Sequence, residues 1–346
     1  MRFAAIGDQF VRHEVMVNAI EEYFENAEVN GYSTGWPLDI SQSVFKGPEV
    51  SECDGTEDDV IALAKDADYL VLDIAPITKR VFDACPNLKA IAVTRGGAVN
   101  VNVDEATSRG IPVFNSPGRN LSAVGEFTVA LTLAHLKNIP MANRDLKQGV
   151  WRGDLYSYEK VGQEMSELVV GIVGFGNIGR QTSKLFSCFG SDVLVYDPFV
   201  SDDDIQNAGY TPVSLDELFA KADVVTLHAK VTPENVHMVG AREIGMMKPS
   251  AILVNTARAE LIDMDALYDA LVEKRIGGAC LDVFEKEPIG KSSRYLPLEN
   301  LTVTPHIGGA SQATVRRAIS RALIDLKDYI EGREPKYCLN PEVLKK

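Results

Sequence analysis

Apolar residues along this chain gather in short, nearly continuous runs, separated by stretches where they recur every three or four positions. From residue 168 onward the runs "LVVGIVG", "DVLVYD", "VVTLHA", "AILVNTA", "GACLDVF" and "LTVTPH" alternate with helical periods at 177–190, 214–222, 241–248 and 263–274. Strands that are apolar on both faces and are joined by amphipathic helices predict a parallel sheet covered on both sides. Ser214 with Glu217 three residues on reads as a capping box, and Asp263 before "MDALYDAL" as a second helix start. The first 115 residues show the same alternation on a smaller scale: "RFAAIG", helix 14–25, "YLVLDI", helix 78–84, "LKAIAVT", helix 103–109 and "IPVFNS". Residues 121–150 read as a long helical stretch joining the two series. Residues 311–331 read as an amphipathic helix that crosses back to the first, and "NPEVLKK" after them as a frayed tail. Two doubly wound α/β domains are therefore expected, with ligands in a cleft between them.

The length of 346 residues also favours two cores over one, and 45% hydrophobic with 24% charged residues is an ordinary globular composition. Acidic residues outnumber basic ones 49 to 35, for a net charge of -14. Such a chain repels polyanions at long range, so neither nucleic acid nor a membrane is an expected partner. The N-terminus carries no apolar leader pattern and no run of eighteen apolar residues occurs, from which a cytoplasmic location is expected. The five cysteines are scattered and never form a CxxC pair. Buried free thiols are expected rather than a disulfide framework, and no metal site.

The chemistry begins at "GFGNIG". Gly174, Gly176 and Gly179 form a GxGxxG pattern directly after a strand and at the opening of a helix. There, glycines admit a tight turn, close backbone approach to a pyrophosphate and close helix packing. The next strand ends in Asp197, 18 residues after Gly179, where an acid can accept from an adenosine ribose. Pro198 and Phe199 follow it, with no arginine to meet a 2′-phosphate, so NAD is expected over NADP. Polar residues also close the other apolar runs: His228, Asp282 and His306, with Arg258 just after "AILVNTA". In parallel sheets ligands bind at the carboxyl ends of strands. Hydride transfer from an alcohol needs a base for the hydroxyl proton and a cation for the substrate's negative end. His306, followed by Gly308 and Gly309, is the candidate base, Glu287 a carboxylate to raise its pKa, and Arg258 the cation. Glu287 as a solvated loop acid and Arg258 paired with Glu260 or Asp263 remain open from the residues alone. His13, His135 and His237 read as structural.

Taken together, "GFGNIG", "VNTARAELID", "ACLDVFEKEP" and "TPHIGG" resemble the D-isomer-specific 2-hydroxy-acid dehydrogenases, the family that includes D-3-phosphoglycerate dehydrogenases. The likeness starts at "NLKAIAVTRGGAVNVNVD" and runs through the histidine motif. It implies an NAD-binding Rossmann domain at 117–311, inserted in a discontinuous flavodoxin-like substrate domain made of 1–116 and a returning helix in 312–346. It implies Arg258, Glu287 and His306 as the catalytic arginine, glutamate and histidine. Cofactor contacts are implied at Gly174, Gly176, Asn177, Ile178, Gly179, Asp197, His228, Thr256, Ala257, Asp282 and Gly308. Asp282 would lie near the nicotinamide carboxamide, and the loop of Arg95, Gly96 and Gly97 would hold the substrate carboxylate through backbone amides. A homodimer built on the cofactor domain and the helix near 121–150 is implied as well.

The chain departs from the family pattern at Ala259, at "VGE" over 124–126 and at Lys230. Arg95, Arg119 and Lys230 could together favour a phosphorylated or dicarboxylic substrate, or be solvated cations. No C-terminal regulatory domain of the serine-feedback type follows the last helix, so that feedback is not expected. The reading is an NAD-dependent oxidoreductase interconverting a D-2-hydroxy acid and its 2-oxo acid, phosphoglycerate-like or sugar-acid substrates included. An NADH-sensing corepressor of the same architecture would keep the same trio. A formate enzyme of this fold typically has glutamine where Glu287 stands.

Overall fold

A computed structural model describes residues 1–37 and 48–345. The chain divides into two compact units: unit 1 comprises Met1–Arg119 with Ala310–Lys346, and unit 2 is Asn120–Gly309.

Unit 1 runs β1 (Arg2–Gly7), α1 (His13–Tyr23), β2 (Glu28–Ser33), α2 (Glu57–Ala64), β3 (Tyr69–Leu72), α3 (Lys79–Ala84), β4 (Ala90–Val93), α4 (Val103–Ser108) and β5 (Val113–Phe114). All pairings in its sheet are parallel, in the order β2-β1-β3-β4-β5. Side chains of successive strand residues go to opposite faces. Ala4, Ile6, Leu70, Leu72, Ile91 and Val93 accordingly pack with α2, α3 and α4. Phe3, Ala5, Val71, Ala90 and Ala92 pack on the other face with α1 and with a helix from the far end of the chain. At the carboxyl edge each strand is followed at once by a buried polar residue: Thr34, Asp8, Asp73, Thr94 and Asn115, in sheet order.

Unit 2 opens with α5 (Leu121–Leu136) and α6 (Ile139–Lys147). The predicted long helical stretch is thus two helices, parted at Asn138, whose φ of 55° lies in the left-handed region. The sheet series follows: β6 (Val169–Val173), α7 (Asn177–Cys188), β7 (Asp192–Tyr196), α8 (Asp202–Asn207), β8 (Thr211–Pro212), α9 (Leu215–Lys221), β9 (Val224–Leu227), α10 (Ala241–Met246), β10 (Ile252–Asn255), α11 (Met264–Val272), β11 (Gly278–Leu281) and β12 (Leu301–Val303). The seven strands are parallel, in the order β12-β11-β10-β9-β6-β7-β8. The strand order reverses between β6 and β9, and the crevice at such a point is where doubly wound sheets bind ligands. Ser214 caps α9 by accepting from the Glu217 amide at 3.2 Å. The reciprocal half of the expected capping box is absent among the described residues, because the Glu217 carboxylate is taken by Lys221 at 2.5 Å.

The chain then returns to unit 1 as α12 (Gln312–Ile330), whose Val315, Ile319, Ala322, Leu323 and Leu326 cover the face shared with α1. Three bonds tie it to the end of the first segment: Ser116 donates to the Ala318 carbonyl, Arg317 to that of Arg119, and Arg321 to that of Pro117. The tail beyond is not frayed as its composition predicts. Cys338 forms an antiparallel bridge to Phe114. The buried Asn340 side chain accepts from the Val113 amide and donates to the Ile111 carbonyl, both at 2.9 Å. This caps the open edge of β5, which otherwise presents unpaired backbone groups. Of the cysteines, Cys53, Cys85 and Cys280 are buried as expected, whereas Cys188 is exposed and Cys338 partly so. No helix among the described residues is long and apolar enough to cross a membrane.

Candidate active site

The carboxyl edge of the seven-stranded sheet carries the candidate residues in a spatial row. Reading across β12, β11, β10, β9, β6 and β7, the strands lead into His306, Asp282, Arg258, His228, Gly174 and Asp197. The glycine turn lies toward one end of the row and His306 at the other.

At the glycine turn, Gly174 holds φ at 96°, and a β-carbon there would stand 2.7 Å from the Ala229 amide nitrogen. A β-carbon at Gly179 would stand 2.0 Å from the Gly174 carbonyl oxygen, so α7 sits on the turn at a distance only glycine permits. The space beside Gly176 is open. Gly176 also caps α7 without a side chain, so the first-turn amides, on Asn177 and Ile178 among others, are left facing outward with the positive end of the helix. Asp197 accepts from the Phe175 amide at 2.6 Å and the Phe199 amide at 2.8 Å, one on each carboxylate oxygen. Each oxygen keeps lone pairs for a ribose hydroxyl. His228 binds Thr226 through Nε2 at 3.1 Å, while its buried Nδ1 has no partner among the described residues. Burial pushes this histidine down to about 3, so it stays neutral. Open glycine, uncapped helix and orphaned imidazole nitrogen together suit a bound dinucleotide.

At the other end, Glu287 bridges two groups. Its Oε1 accepts from the Phe284 amide at 2.9 Å, and its Oε2 from His306 Nδ1 at 2.7 Å. The hydrogen bond to Glu287 raises the His306 pKa above its ordinary value, against the opposing effect of burial and with help from the carboxylate's charge. Burial works to raise the Glu287 carboxyl, but the bonds from His306 and Phe284 and the charges of His306 and Arg258 outweigh it and hold it low. A carboxylate on Nδ1 fixes that nitrogen as the protonated one, which leaves Nε2 as the nitrogen able to exchange a proton. His306 sits at a φ of 53° with its side chain 46% exposed.

Two residues hold this geometry in ways the sequence does not reveal. Asp282, 1% exposed, accepts from the Thr304 hydroxyl at 2.6 Å, the Ile307 amide at 3.0 Å and the Gly308 amide at 2.8 Å, and so clamps the turn on both sides of His306. The glycine after it makes room for this clamp rather than for the imidazole: a β-carbon at Gly308 would lie 2.9 Å from Asp282 Oδ2 and 3.1 Å from the Phe127 ring. Asn255, fully buried, accepts from the Ala257 amide at 3.0 Å and donates to the Arg258 carbonyl at 2.8 Å. The only hint of it in the sequence is a polar residue closing an apolar strand. Thr256 pairs with Thr128 at 2.8 Å. Arg258 is exposed and rests one guanidinium nitrogen on the Ala257 carbonyl at 2.8 Å. Among the described residues it forms no ion pair with Glu260 or Asp263, and its charge acts on His306 and Glu287 instead. Arg95, Gly96 and Gly97 belong to unit 1. Arg95 pairs there with Glu52, and the amides of Gly96 and Gly97 have no acceptor among the described residues.

The pairing predicts a pH signature. If His306 is the proton donor of a carbonyl reduction it must start protonated, and a raised pKa then extends activity toward alkaline pH. Replacing the carboxylate in Glu287→Gln removes the raising influence, and the alkaline limb of the reduction profile is expected to move to lower pH. Full pH–rate profiles of the two proteins check this; superimposable limbs count against the pairing.

Residues 129–308 match the family described as D-isomer specific 2-hydroxyacid dehydrogenase, NAD binding domain. The chain is 37% identical over 287 residues to a glyoxylate reductase of Korarchaeum cryptofilum, a match spanning 83% of this chain and 86% of that protein. It is 36% identical over 279 residues to a D-3-phosphoglycerate dehydrogenase of Methanocaldococcus jannaschii, across 80% of this chain but only 52% of that longer protein. The solved structure of a D-lactate dehydrogenase from Treponema pallidum shares the fold, with a TM-score of 0.79 at 24% identity, over 98% of this chain and 99% of that one.

Proposed function

Because this chain belongs to the D-isomer-specific 2-hydroxyacid dehydrogenases, we infer that it is an NAD-dependent oxidoreductase interconverting a D-2-hydroxy acid and its 2-oxo acid. The observation that carries the reading is the His306 pair with Glu287, with Arg258 acting on both. NAD, when bound along the glycine turn, supplies the hydride acceptor. Gly174, Gly176 and Gly179 give it backbone access, the α7 N-terminus faces its pyrophosphate, and Asp197 receives the ribose hydroxyls. His306 Nε2 takes the proton of the C2 hydroxyl during oxidation and returns it to the carbonyl oxygen during reduction. Glu287 stabilises the imidazolium that forms. The free guanidinium edges of Arg258 bind the substrate carboxylate and polarise the C2 carbonyl. Asp282 and Asn255 position the base and the cation. In unit 1, the unengaged amides of Gly96 and Gly97 are suited to a carboxylate as well.

We assign the same chain a homodimeric state. Trp151, Tyr156 and Tyr158, which are 83%, 91% and 92% exposed, lie in one stretch of unit 2 with the exposed Ile139 and Leu146. Large apolar side chains exposed in such number along one stretch suit a protein contact.

The test is oxidation of NADH by the purified protein against glyoxylate, pyruvate, hydroxypyruvate, 2-oxoglutarate and 3-phosphohydroxypyruvate, with NADPH in parallel. Turnover on at least one acid, preferring NADH, is expected. Tight NADH binding with no turnover on any would favour the corepressor reading. Light scattering on the same preparation should return twice the chain mass.

A further inference from the structure

Two acids lie buried on neighbouring strand ends at the carboxyl edge of the unit 1 sheet. Asp8 follows β1 and Asp73 follows β3, the strand beside it. They are 0% and 1% exposed, and the Asp73 amide donates to the Ile6 carbonyl at 3.1 Å, which ties one strand end to the other. Asp8 holds the turn into α1: its Oδ1 accepts from the Phe10 and Val11 amides, both at 2.6 Å, and its own amide donates to the Val11 carbonyl at 3.1 Å. The turn is tight, since a β-carbon at Gly7 would stand 2.2 Å from that same carbonyl oxygen. Asp73 Oδ1 accepts from Arg119 at 2.7 Å and from the Thr94 hydroxyl. The second oxygen of each acid, Oδ2, is also buried and receives no donor among the described residues. The other charged and titratable groups around this edge have partners of their own. Asp54 accepts from the Trp36 amide at 2.9 Å, Arg95 pairs with Glu52, Arg12 pairs with Glu14 at 2.7 Å, and His13 bonds Ser33 at 2.8 Å. From α12, Arg317 and Arg321 donate to the backbone carbonyls of Arg119 and Pro117. Two carboxylates therefore share one guanidinium. A second, unmatched negative charge out of reach of water is costly, and an acid so placed takes up a proton instead. In keeping with that, burial, the charge of Asp73 and a hydrogen bond between the two side chains push Asp8 up to about 8, against the pull of the Val11 and Phe10 amides.

We propose that Asp8 and Asp73 hold one proton between them, and that this proton is a pH-sensitive latch on the turn from β1 into α1. With the proton in place one acid donates to the other, and the remaining negative charge is matched by Arg119. Without it, two negative charges face each other in the interior. Asp73 is anchored by Arg119 and Thr94, whereas Asp8 is held only by amides of its own turn, so the turn is the part that yields. In the unfolded chain Asp8 titrates in the ordinary carboxylate range, and in the folded chain at about 8. Between these limits the folded state holds one proton more. The stability this contributes is fully present below the carboxylate range, falls as pH rises, and is gone above about 8. The latch lies wholly within unit 1 and does not depend on the dehydrogenase reading.

The experiment is thermal melting of the full-length chain and of Asp8→Asn across the range from about pH 5 to about pH 9. Asparagine keeps an acceptor for the Phe10 and Val11 amides and offers Asp73 a donor that has no proton to lose. The variant is expected to melt higher than the natural chain at the alkaline end, by roughly 4 °C or more, with the margin closing toward the acid end. A margin that does not change with pH, or a variant that melts lower at alkaline pH, overturns the proposal. Infrared difference spectra of the natural chain, recorded between neutral and alkaline pH, need no variant and decide the question if Asp8→Asn does not fold. The carbonyl stretch of a protonated carboxyl is expected to disappear with a midpoint near 8; no such band means that the acids share no proton. Hydrogen exchange at the Phe10 and Val11 amides, corrected for its intrinsic pH dependence, should lose protection over the same interval, and unchanged protection means that the proton does not hold the turn.

Discussion

His306→Asn should lower kcat by roughly a thousandfold while leaving NADH affinity within about twofold, since a positioned acid–base group contributes on the order of 10²–10⁴ in rate. Asparagine is the informative replacement. His306 sits at a φ of 53°, where asparagine is among the few side chains tolerated, so the turn held by Asp282 can survive the change. An alanine there would mix loss of the base with backbone strain. Steady-state kinetics on whichever 2-oxo acid turns over, with NADH binding followed by fluorescence, separates the two quantities. A loss of less than about tenfold would leave the proton to another group. A comparable loss of NADH affinity would mean that the turn, and not the imidazole, had been damaged.

The second large effect is expected at the opposite end of the row. Gly179→Ala places a methyl group 2.0 Å from the Gly174 carbonyl oxygen, and backbone cannot yield there as a flexible side chain could. Either α7 moves off the turn or the turn opens, and both destroy the close approach on which pyrophosphate binding depends. Overpacking of this kind costs about 1–3 kcal/mol of stability, and NADH binding should fall below detection at micromolar protein. Gly176→Ala is the control, because no atom lies within 4 Å of where its β-carbon would stand. It should leave the melting temperature within about 2 °C while still crowding the cofactor. Equal melting temperatures for the two variants would overturn the packing argument.

The parts of this molecule that could be read from residues alone are those where chemistry or burial leaves little choice. Core strands such as β9 and β10 are buried along their whole length, so they appear as uninterrupted apolar runs. The edge strand β2, "EVNGYS", is mostly exposed and carries no such run, and the two-residue β8 ends in a proline; neither was legible. The short acidic helices α2 and α8 have too few turns for a period to emerge. In the site, the glycine turn, the candidate base and the candidate cation stood out because each step of a hydride transfer demands a particular residue type. Asp282 did not reveal its task as a clamp, since its bonds to Thr304, Ile307 and Gly308 are made only once two strand ends lie side by side, whereas the bonds of Asn255 are local, to Ala257 and Arg258, and depend on the turn that follows β10. The tail was misread for a related reason: Asn340 finds its partner at Val113, 227 residues earlier.

That return of the chain also bears on how the protein is made. During synthesis Phe3, Met16 and Ile20 leave the ribosome long before Val315, Ile319 and Leu323, the residues that cover them. Unit 2, continuous from Asn120 to Gly309, has all its strands in hand while unit 1 still waits for α12. Until α12 emerges, the nascent chain therefore carries a sheet face that α1 alone covers, and unit 1 is completed only after the whole of unit 2 has been made.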